Sequence, residues 1–543
     1  MSTTTHPLGR RIIASAGVLS LGLIGLGAAA NAADEYGNID PAAKGKVVLH
    51  KHVQQKKPIV SAKPDGTGNI PSDPVEGVEF TLSKVDIDLT TPAGWEKLST
   101  AQVADDCSKV TIDGVDKTTS DPKVVTTGAN GIAEAADLPV AAYAVCETSI
   151  ADAKVKGEKT TVVKKAAPFL VTVPFPDSEG DGKWLYTVHA YPKNSVATVK
   201  KSIAEQTEFG LGSVVKFPVT AEVPTIAGGD LFKYYWVQDQ LDDRFDEPAV
   251  ESVKLAGTAL VEGEDYTVVE NNNKVTMQLT NKGLAKLWAA QGEKIETVFT
   301  GKVARLGTGN TAGVIQNTAS VYTYSYPNPV PPNDPNNPTP PDPENPPTPP
   351  NPPTDPENPP NPPTPSDPVT TNWGDARVLK YDANDSSKTA GLAGAKFKVF
   401  QGTEENGECT KTKSGDAVKT LAAPEGVFTA NKDGLLLIDG LYVSDSVNAP
   451  VNADHRCYVL EEVEAPAGYV LPAGDDALTP LKVKIGLTAA TLTDVAISNT
   501  KQEVPQLPIT GANGEVLMLV GGASFLLLAA GGVMVTRRRA ARS

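Results

Sequence analysis

Histidine, cysteine and aromatic residues are scarce in this chain of 543 residues, which has five histidines, four cysteines and 6% aromatics. So few aromatic side chains argue against a single large aromatic core. The sequence also lacks a phosphate-binding glycine loop, a zinc motif and the glycine-flanked serine of hydrolases. We therefore expect no cofactor, no metal and no enzymatic action on other molecules.

Positive charge is in deficit, because 49 lysines and arginines stand against 65 aspartates and glutamates, a net charge of −16. Nucleic-acid partners select basic surfaces, so this balance argues against such a partner. An acidic, soluble extracellular surface fits better. The length is sufficient for several domains of ordinary size.

The N-terminus has the pattern of a secretion signal. Arg10 and Arg11 precede an apolar run at 12–29, and a small-x-small cleavage site follows at 30–32. This order of charge, apolar run and cleavage site predicts a signal peptide over 1–32. An uncleaved membrane helix is the alternative, although the run is short for one.

The four cysteines fall in two pairs that are far apart in the sequence. Four cysteines allow three pairings. Proximity along the chain predicts that Cys107 bonds Cys146 and that Cys409 bonds Cys457, in an extracellular setting where disulfides persist. A zinc site that includes His455 is the alternative, but the ligand spacing does not suit it.

Short runs with period-two alternation, separated by turn residues, recur through the middle of the chain and predict β-strands. They indicate an all-β fold of sandwich domains. Composition divides the chain into units at 33–194, 195–326 and 370–501, followed by a tail at 502–543. One short helix is predicted at 281–291, where apolar residues share a face.

A proline-rich segment at 327–369 separates the second and third units in the sequence. Proline occupies 22 of the 42 residues from 327 to 368. Such a segment cannot build a hydrogen-bonded ladder, so we expect an extended polyproline II linker. At about 3.1 Å per residue it would reach roughly 130 Å. A ligand for a proline-binding domain is the alternative.

A five-residue motif precedes a second apolar run near the C-terminus: Leu507, Pro508, Ile509, Thr510 and Gly511. The run at 516–535 is about as long as a helix that spans a bilayer, and arginines follow it. This order resembles the cell-wall sorting signal of Gram-positive surface proteins; a plain single-pass anchor is the alternative. The resemblance implies that a sortase cuts between Thr510 and Gly511, so the C-terminal helix would be a transient membrane anchor.

The stretch from Trp184 to Tyr191-Pro192-Lys193-Asn194 resembles the pilin motif of sortase-assembled pili. The resemblance implies that Lys193 supplies the amine that accepts Thr510 of another copy. With the sorting signal, the chain is identified as a shaft pilin of the actinobacterial fimbrial type, secreted and anchored to the cell wall.

This resemblance implies several partners: a pilus-specific sortase, other copies of the chain, tip and base pilins, peptidoglycan through a housekeeping sortase, and a host receptor or matrix. The alternative is a wall-anchored adhesin or a pilus-base subunit, in which Lys193 is unused.

The third unit carries a stretch from Tyr458 to Tyr469 that resembles the E-box of pilin domains, with Val463 where the family usually has threonine. Its flanking strands resemble the collagen-adhesin B-type domain, an immunoglobulin-like sandwich. The resemblance implies an isopeptide bond between Lys380 and Asn499, with Glu462 as its catalytic acid.

The second unit carries a Tyr-x-Val-x-Asp-x-Leu stretch that resembles the A-type-like middle domain of the same pilins. By this resemblance Asp239 is the catalytic acid and Asn317 the acceptor. The lysine is Lys200 or Lys201, and strand alternation favours Lys201 because Val199 and Lys201 share a face.

The first unit, also B-type by resemblance, has a partial E-box that ends after Thr148. A bond between Lys51 and Asn194 with Glu147 as the acid is one interpretation, and a unit without a bond is the other. In an apolar core, burial lowers the pKa of a lysine and raises that of a carboxylic acid, which makes such chemistry feasible. A buried ion pair is the alternative.

Overall fold

β-Strands dominate the computed structural model, which describes residues 39–55, 62–104, 108–177, 184–227, 229–330, 339–355 and 363–503. Strands account for 52% and helices for 5%, so the prediction of an all-β fold is confirmed. The predicted signal peptide and the sorting signal with its apolar run lie outside the described residues. Within the described part of the chain, no helix is long and apolar enough to cross a membrane.

The first unit is made of short strands and one helix. In chain order these are β1 (Lys44–His50), β2 (His52–Val53), β3 (Val75–Glu76), β4 (Glu79–Val85), α1 (Pro92–Leu98), β5 (Gln102–Val103), β6 (Lys109–Ile112), β7 (Val115–Thr126), β8 (Ile132–Pro139), β9 (Ala141–Ser149), β10 (Lys154–Val155), β11 (Glu158–Lys159), β12 (Thr161–Lys164), β13 (Phe169–Val173), β14 (Phe175–Pro176), β15 (Trp184–Leu185), β16 (Thr187–Ala190) and β17 (Lys193–Ala197).

Two sheets of this unit enclose its core. One has the order β16-β1-β8 and the other β13-β9-β4-β7-β6-β5. Alternate residues such as Leu49, Phe80 and Val145 point between them and are fully buried, as the two-residue period of a strand requires. Strand β17 pairs with both β12 and β2 and continues to Ala197, past the predicted boundary after residue 194.

The second unit contains β18 (Val199–Lys201), β19 (Val214–Glu222), β20 (Asp230–Gln240), β21 (Phe245–Leu255), β22 (Thr258–Ala259), β23 (Tyr266–Asn271), β24 (Lys274–Leu279), α2 (Asn281–Ala289), β25 (Lys294–Val303), a 3-10 turn (Gly309–Thr311) and β26 (Val314–Pro327). Its sheets, β18-β19-β25-β21-β22 and β23-β24-β20-β26, face each other across a core that includes Phe217, Tyr235 and Phe299. Helix α2 matches the predicted helix and is capped by the Thr280 side chain, which accepts from the Gly283 N–H.

The third unit contains β27 (Thr364–Pro365), β28 (Val369–Asp382), β29 (Lys396–Glu405), β30 (Glu408–Ser414), β31 (Phe428–Thr429), β32 (Leu435–Asp445), β33 (His455–Glu464), a 3-10 turn (Gly474–Ala477), β34 (Leu478–Lys484) and β35 (Val495–Asn499). Strands β28, β32 and β35 pack against the sheet β30-β29-β33-β34. The core between them includes Phe397 and Tyr458.

The proline-rich segment does not separate the second and third units in space. Strand β28 pairs directly with β26, with Val369 opposite Asn317, and β27 pairs with β26 where Thr364 lies opposite Val321. The segment therefore leaves from the end of β26 and returns along the same strand. This arrangement differs from the expected spacer because both ends of the segment are fixed to one strand.

Part of the proline-rich segment lies against the second unit. Glu344 forms an ion pair with Lys282 at the start of α2, with 3.2 Å between the charged atoms. Pro349 is buried. The described residues 339–355 are therefore in contact with folded structure.

Strands from the beginning and the end of a unit lie side by side. Strand β2 pairs in parallel with β17, and β28 pairs in parallel with β35. A residue near the start of the unit is thereby placed next to one more than a hundred positions later, as Lys51 is to Asn194. These pairings position the residues of the candidate site.

Candidate functional site

The third unit brings Lys380, Glu462 and Asn499 together in its core. The Lys380 Nζ lies 2.7 Å from Glu462 Oε2 and also donates to the side-chain oxygen of Asn499. The other carboxyl oxygen of Glu462 accepts from the Asn499 amide nitrogen at 2.8 Å. All three residues are at most 3% exposed. One carboxyl group thus contacts both the amine and the amide nitrogen.

The first unit repeats this arrangement with Lys51, Glu147 and Asn194. Lys51 Nζ lies 2.7 Å from Glu147 Oε2 and donates to the Asn194 oxygen, and Asn194 Nδ2 donates to Glu147 Oε1 at 2.8 Å. The Ala166 N–H donates to the same carboxyl group at 3.2 Å. The partial E-box therefore provides the same three contacts as the fuller E-box of the third unit.

The second unit gathers Lys201, Asp239 and Asn317 with a different pattern of contacts. Lys201 Nζ donates to Asp239 Oδ2, and Asn317 Nδ2 donates to the same oxygen at 3.3 Å. Among the described residues, Asp239 Oδ1 and the Asn317 side-chain oxygen have no hydrogen-bond partner. Lys200 points outward and pairs with Glu158 at 3.4 Å, so Lys201 is the lysine in the core.

Burial sets the protonation of these groups. It lowers the pKa of Lys51 from its ordinary 10.5 to about 8, against the opposing charge of Glu147. Burial also lowers the pKa of Lys201 and of Lys380, and it raises the pKa of Asp239. Each shift favours the neutral form of its group. A neutral amine is a nucleophile, and a neutral carboxylic acid is able to donate a proton.

An aromatic ring lies beside each of the three buried ammonium groups, a feature that sequence reasoning did not identify. The distances from Nζ to the ring centre are 5.5 Å for Lys51 and Phe80, 4.8 Å for Lys201 and Phe217, and 5.5 Å for Lys380 and Phe397. These rings exclude water and interact with the cation. The sequence did carry a signal for two of these rings, because Phe80 and Phe397 are each the third residue after a glycine, Gly77 and Gly394.

Lys193 lies one residue before Asn194 and therefore on the opposite face of β17. Asn194 is fully buried, whereas Lys193 is partly exposed. Partial burial lowers the pKa of Lys193. Beside it, the Tyr191 hydroxyl donates to the Lys63 carbonyl oxygen at 2.8 Å, and the Tyr191 ring stacks on His50 at 4.8 Å. Lys193 is thus held on a structured surface.

The predicted disulfide between Cys409 and Cys457 is confirmed, and it links β30 to β33 with the Cα atoms 5.3 Å apart. His455 is within hydrogen-bond distance of Asp454 and Glu404. These contacts lie next to a disulfide whose sulfur atoms are not available to zinc. Cys146 is buried, and its predicted partner Cys107 lies outside the described residues. Thr510 and the rest of the sorting motif also lie outside them.

Matches to known protein families cover most of the chain. Residues 42–195 match the model of the Gram-positive pilin subunit D1 N-terminal domain, 196–328 match the Sgo0707 N2 domain, and 499–541 match the LPXTG cell wall anchor motif. The chain is 38% identical to fimbrial subunit type 2 of Actinomyces naeslundii, over 99% of this chain and 98% of that one. The chain belongs to the family of Gram-positive fimbrial subunits.

Further relatives agree with this assignment of the pilin. Fimbrial subunit type 1 of Actinomyces viscosus is 32% identical over 94% of both chains. The full-length major pilin SpaD of Corynebacterium diphtheriae has a similar structure, with a TM-score of 0.61 and 26% identity over 86% of this chain and 99% of that one. The major pilin SpaA of the same species has a TM-score of 0.50 and 22% identity over 84% of this chain and 100% of that one, and it supports the fold alone.

These findings confirm the prediction of a sortase-type major pilin and of cell-wall anchoring on the bacterial surface. The pilin is a structural subunit of a fimbria and not an enzyme. Its anchor motif and its relatives imply a sortase and other pilins as partners.

Proposed function

We propose that this pilin is the shaft subunit of a covalently polymerised fimbria. A class C sortase cleaves between Thr510 and Gly511, and the carbonyl of Thr510 is joined to Lys193 of the next copy. The observation that carries this proposal is the position of Lys193, which is partly exposed at the end of the first unit on a strand whose neighbouring residue is fixed in the core. A nucleophilic lysine needs both access and partial desolvation.

Replacement of Lys193 by alanine tests this polymerisation. In cells that carry the sortase, we expect the high-mass ladder of wall extracts to collapse to single subunits. Lys200→Ala is a matched control, because Lys200 is also exposed and lies in the next strand. A ladder that persists in the Lys193→Ala strain would favour an anchored adhesin or base subunit in which this lysine is unused.

We also propose that each of the three clusters forms an isopeptide bond within its unit. The lysine nitrogen attacks the asparagine side-chain carbon, and ammonia leaves. The carboxyl group takes a proton from the amine and delivers one to the departing nitrogen, as general acid–base catalysis requires. Contacts of one carboxyl group with both nitrogens in the first and third units support this role.

Intact mass spectrometry of the folded, soluble chain tests the internal bonds. Three bonds should lower the mass by three ammonia molecules after correction for disulfides. Lys51→Ala, Lys201→Ala and Lys380→Ala variants should each recover one of the three losses. A mass equal to that of the unmodified sequence would exclude the bonds and leave buried ion pairs.

A further inference from the structure

His52 lies beside the acceptor lysine on the outer face of the first unit. Strands β2 and β17 are parallel, and His52 is the register partner of Lys193. Lys51, just before His52, and Asn194, just after Lys193, both face the core, where their side chains are hydrogen-bonded. Alternation therefore sends His52 and Lys193 to the opposite, outer side. The main-chain N–H of His52 donates to the Pro192 carbonyl oxygen at 3.3 Å, and this bond fixes the position of β2 relative to β17.

One hydrogen bond determines the tautomer of His52. Its Nδ1 lies 2.6 Å from the carbonyl oxygen of Ser72. A carbonyl oxygen only accepts, so Nδ1 must carry the proton, and in the neutral ring Nε2 is then the basic nitrogen. A polar partner on one imidazole nitrogen fixes the tautomer of the ring and leaves the other nitrogen as the one that accepts a proton.

The net effect of the surroundings of His52, with burial as the largest cause, is to lower its pKa, which favours the neutral ring. Burial lowers its pKa, the Ser72 hydrogen bond opposes this, the charge of Lys193 lowers it further, and Asp73 raises it. Asp73 is itself paired with Lys156 at 2.9 Å. Among the described residues, His50 also interacts electrostatically with His52, and it contacts His189 at 2.8 Å.

We propose that His52 accepts the proton that the Lys193 nitrogen must lose when it forms the bond to Thr510. This role rests on the proposed function of Lys193. As the nitrogen bonds to the Thr510 carbonyl carbon, the bond from that carbon to the sortase cysteine sulfur breaks, and the electron pair leaves with the sulfur. Nε2 of His52 takes one amine proton and then releases it to the thiolate. The products are an amide and a free thiol.

The decisive variant is His52→Asn, whose side-chain N–H is able to keep the hydrogen bond to Ser72 while lacking a basic nitrogen. His52→Gln is made in parallel, so that the conclusion does not depend on the folding of one variant. His455→Asn, in the third unit, is the control for loss of a histidine. Transfer from a preformed acyl-sortase to full-length pilin is measured as a function of pH.

At neutral pH we expect His52→Asn to slow transfer by roughly 100-fold, the lower end of the range of general-base catalysis. The ratio of wild-type to variant rates should fall toward one as the pH drops below the pKa of His52, because a protonated ring cannot accept a proton. Equal rates, or a slowing that is the same at every pH, would overturn the role of His52. If Lys193→Ala still accepts acyl groups at the normal rate, the proposed function of Lys193 is wrong. If Lys193→Ala is inactive but the His52 variants behave like wild type, only the role of His52 is wrong.

Discussion

At the scale of single residues, the buried lysines distinguish this pilin from an ordinary β-sandwich. The side chains of Lys51, Lys201 and Lys380 are fully buried. Removal of a charged group from water costs several kcal/mol, and a buried ion pair repays it only when its geometry is excellent. Under the proposed function this cost is temporary, because the lysine becomes a neutral amide once the bond has formed.

Glu462→Gln should prevent bond formation in the third unit. Glutamine retains the shape of the side chain but is not able to shuttle a proton between Lys380 and Asn499. Mass spectrometry should show one ammonia more than in the wild type. Glu461→Gln is the matched control, because this neighbouring acid pairs with Lys413 at 2.7 Å near the surface. A bond that forms normally in the Glu462→Gln variant would contradict the assigned role.

Asn194→Ala removes the side chain to which Lys51 would be joined, so Lys51 remains an amine. The low pKa of this amine should then be measurable. Its pKa is about 8 in the folded chain and 10.5 when exposed. The unfolded chain therefore binds more protons between these values, so the free energy of unfolding of the first unit should rise with pH from about 8 to about 10.5. Denaturant titrations across this range measure the rise. The double variant with Lys51→Met should lack it, and a rise of equal size in that control would contradict the assignment.

At the scale of elements, the two-residue alternation of strands predicted which side chains are buried, whereas the pairing of strands from different units was not predicted. The period of two correctly distinguished buried Lys201 from exposed Lys200, because the choice depends only on neighbours in one strand. Helix α1 was not predicted, since its signal is confined to Thr91 as cap, Pro92 in the first turn and one further turn of chain. The pairing of β26 with β28 was not predictable either, because it depends on the approach of two units in space.

The disulfide in the third unit joins Cys409 to Cys457, which are 48 positions apart in the sequence. Its removal by a double serine substitution should lower the free energy of unfolding of this unit by about 2–4 kcal/mol. Thermal unfolding with a probe in each unit measures the effect. The transition of the first unit should be unchanged, and a drop there of similar size would show that the disulfide does not act locally.

At the scale of the whole molecule, the proline-rich segment forms an excursion from β26 and not a spacer in series. Deletion of 339–355 should therefore leave the maximum dimension of the soluble chain unchanged, as measured by small-angle X-ray scattering. If the segment were an extended spacer, the same deletion would shorten the molecule by roughly 50 Å, at 3.1 Å per residue. A chain in which glycine and serine replace the same residues is the control for loss of proline alone.

The internal bonds and the joint between subunits would act along one line of force. Pulling on a fibre loads each copy between Lys193 and its C-terminal end. The proposed bonds in the second and third units lie on that path, and they connect strands from the beginning and end of each unit. The pilin would then resist shear through covalent links in addition to its hydrogen-bonded ladders.

The most direct measurement of the central claim is tandem mass spectrometry of protease-digested fimbriae from the cell wall. The account predicts a branched peptide in which the carbonyl of Thr510 is joined to the Nζ of Lys193. Fimbriae whose Thr510 is joined to a different lysine, or whose Lys193 is recovered only as a free amine, would contradict it.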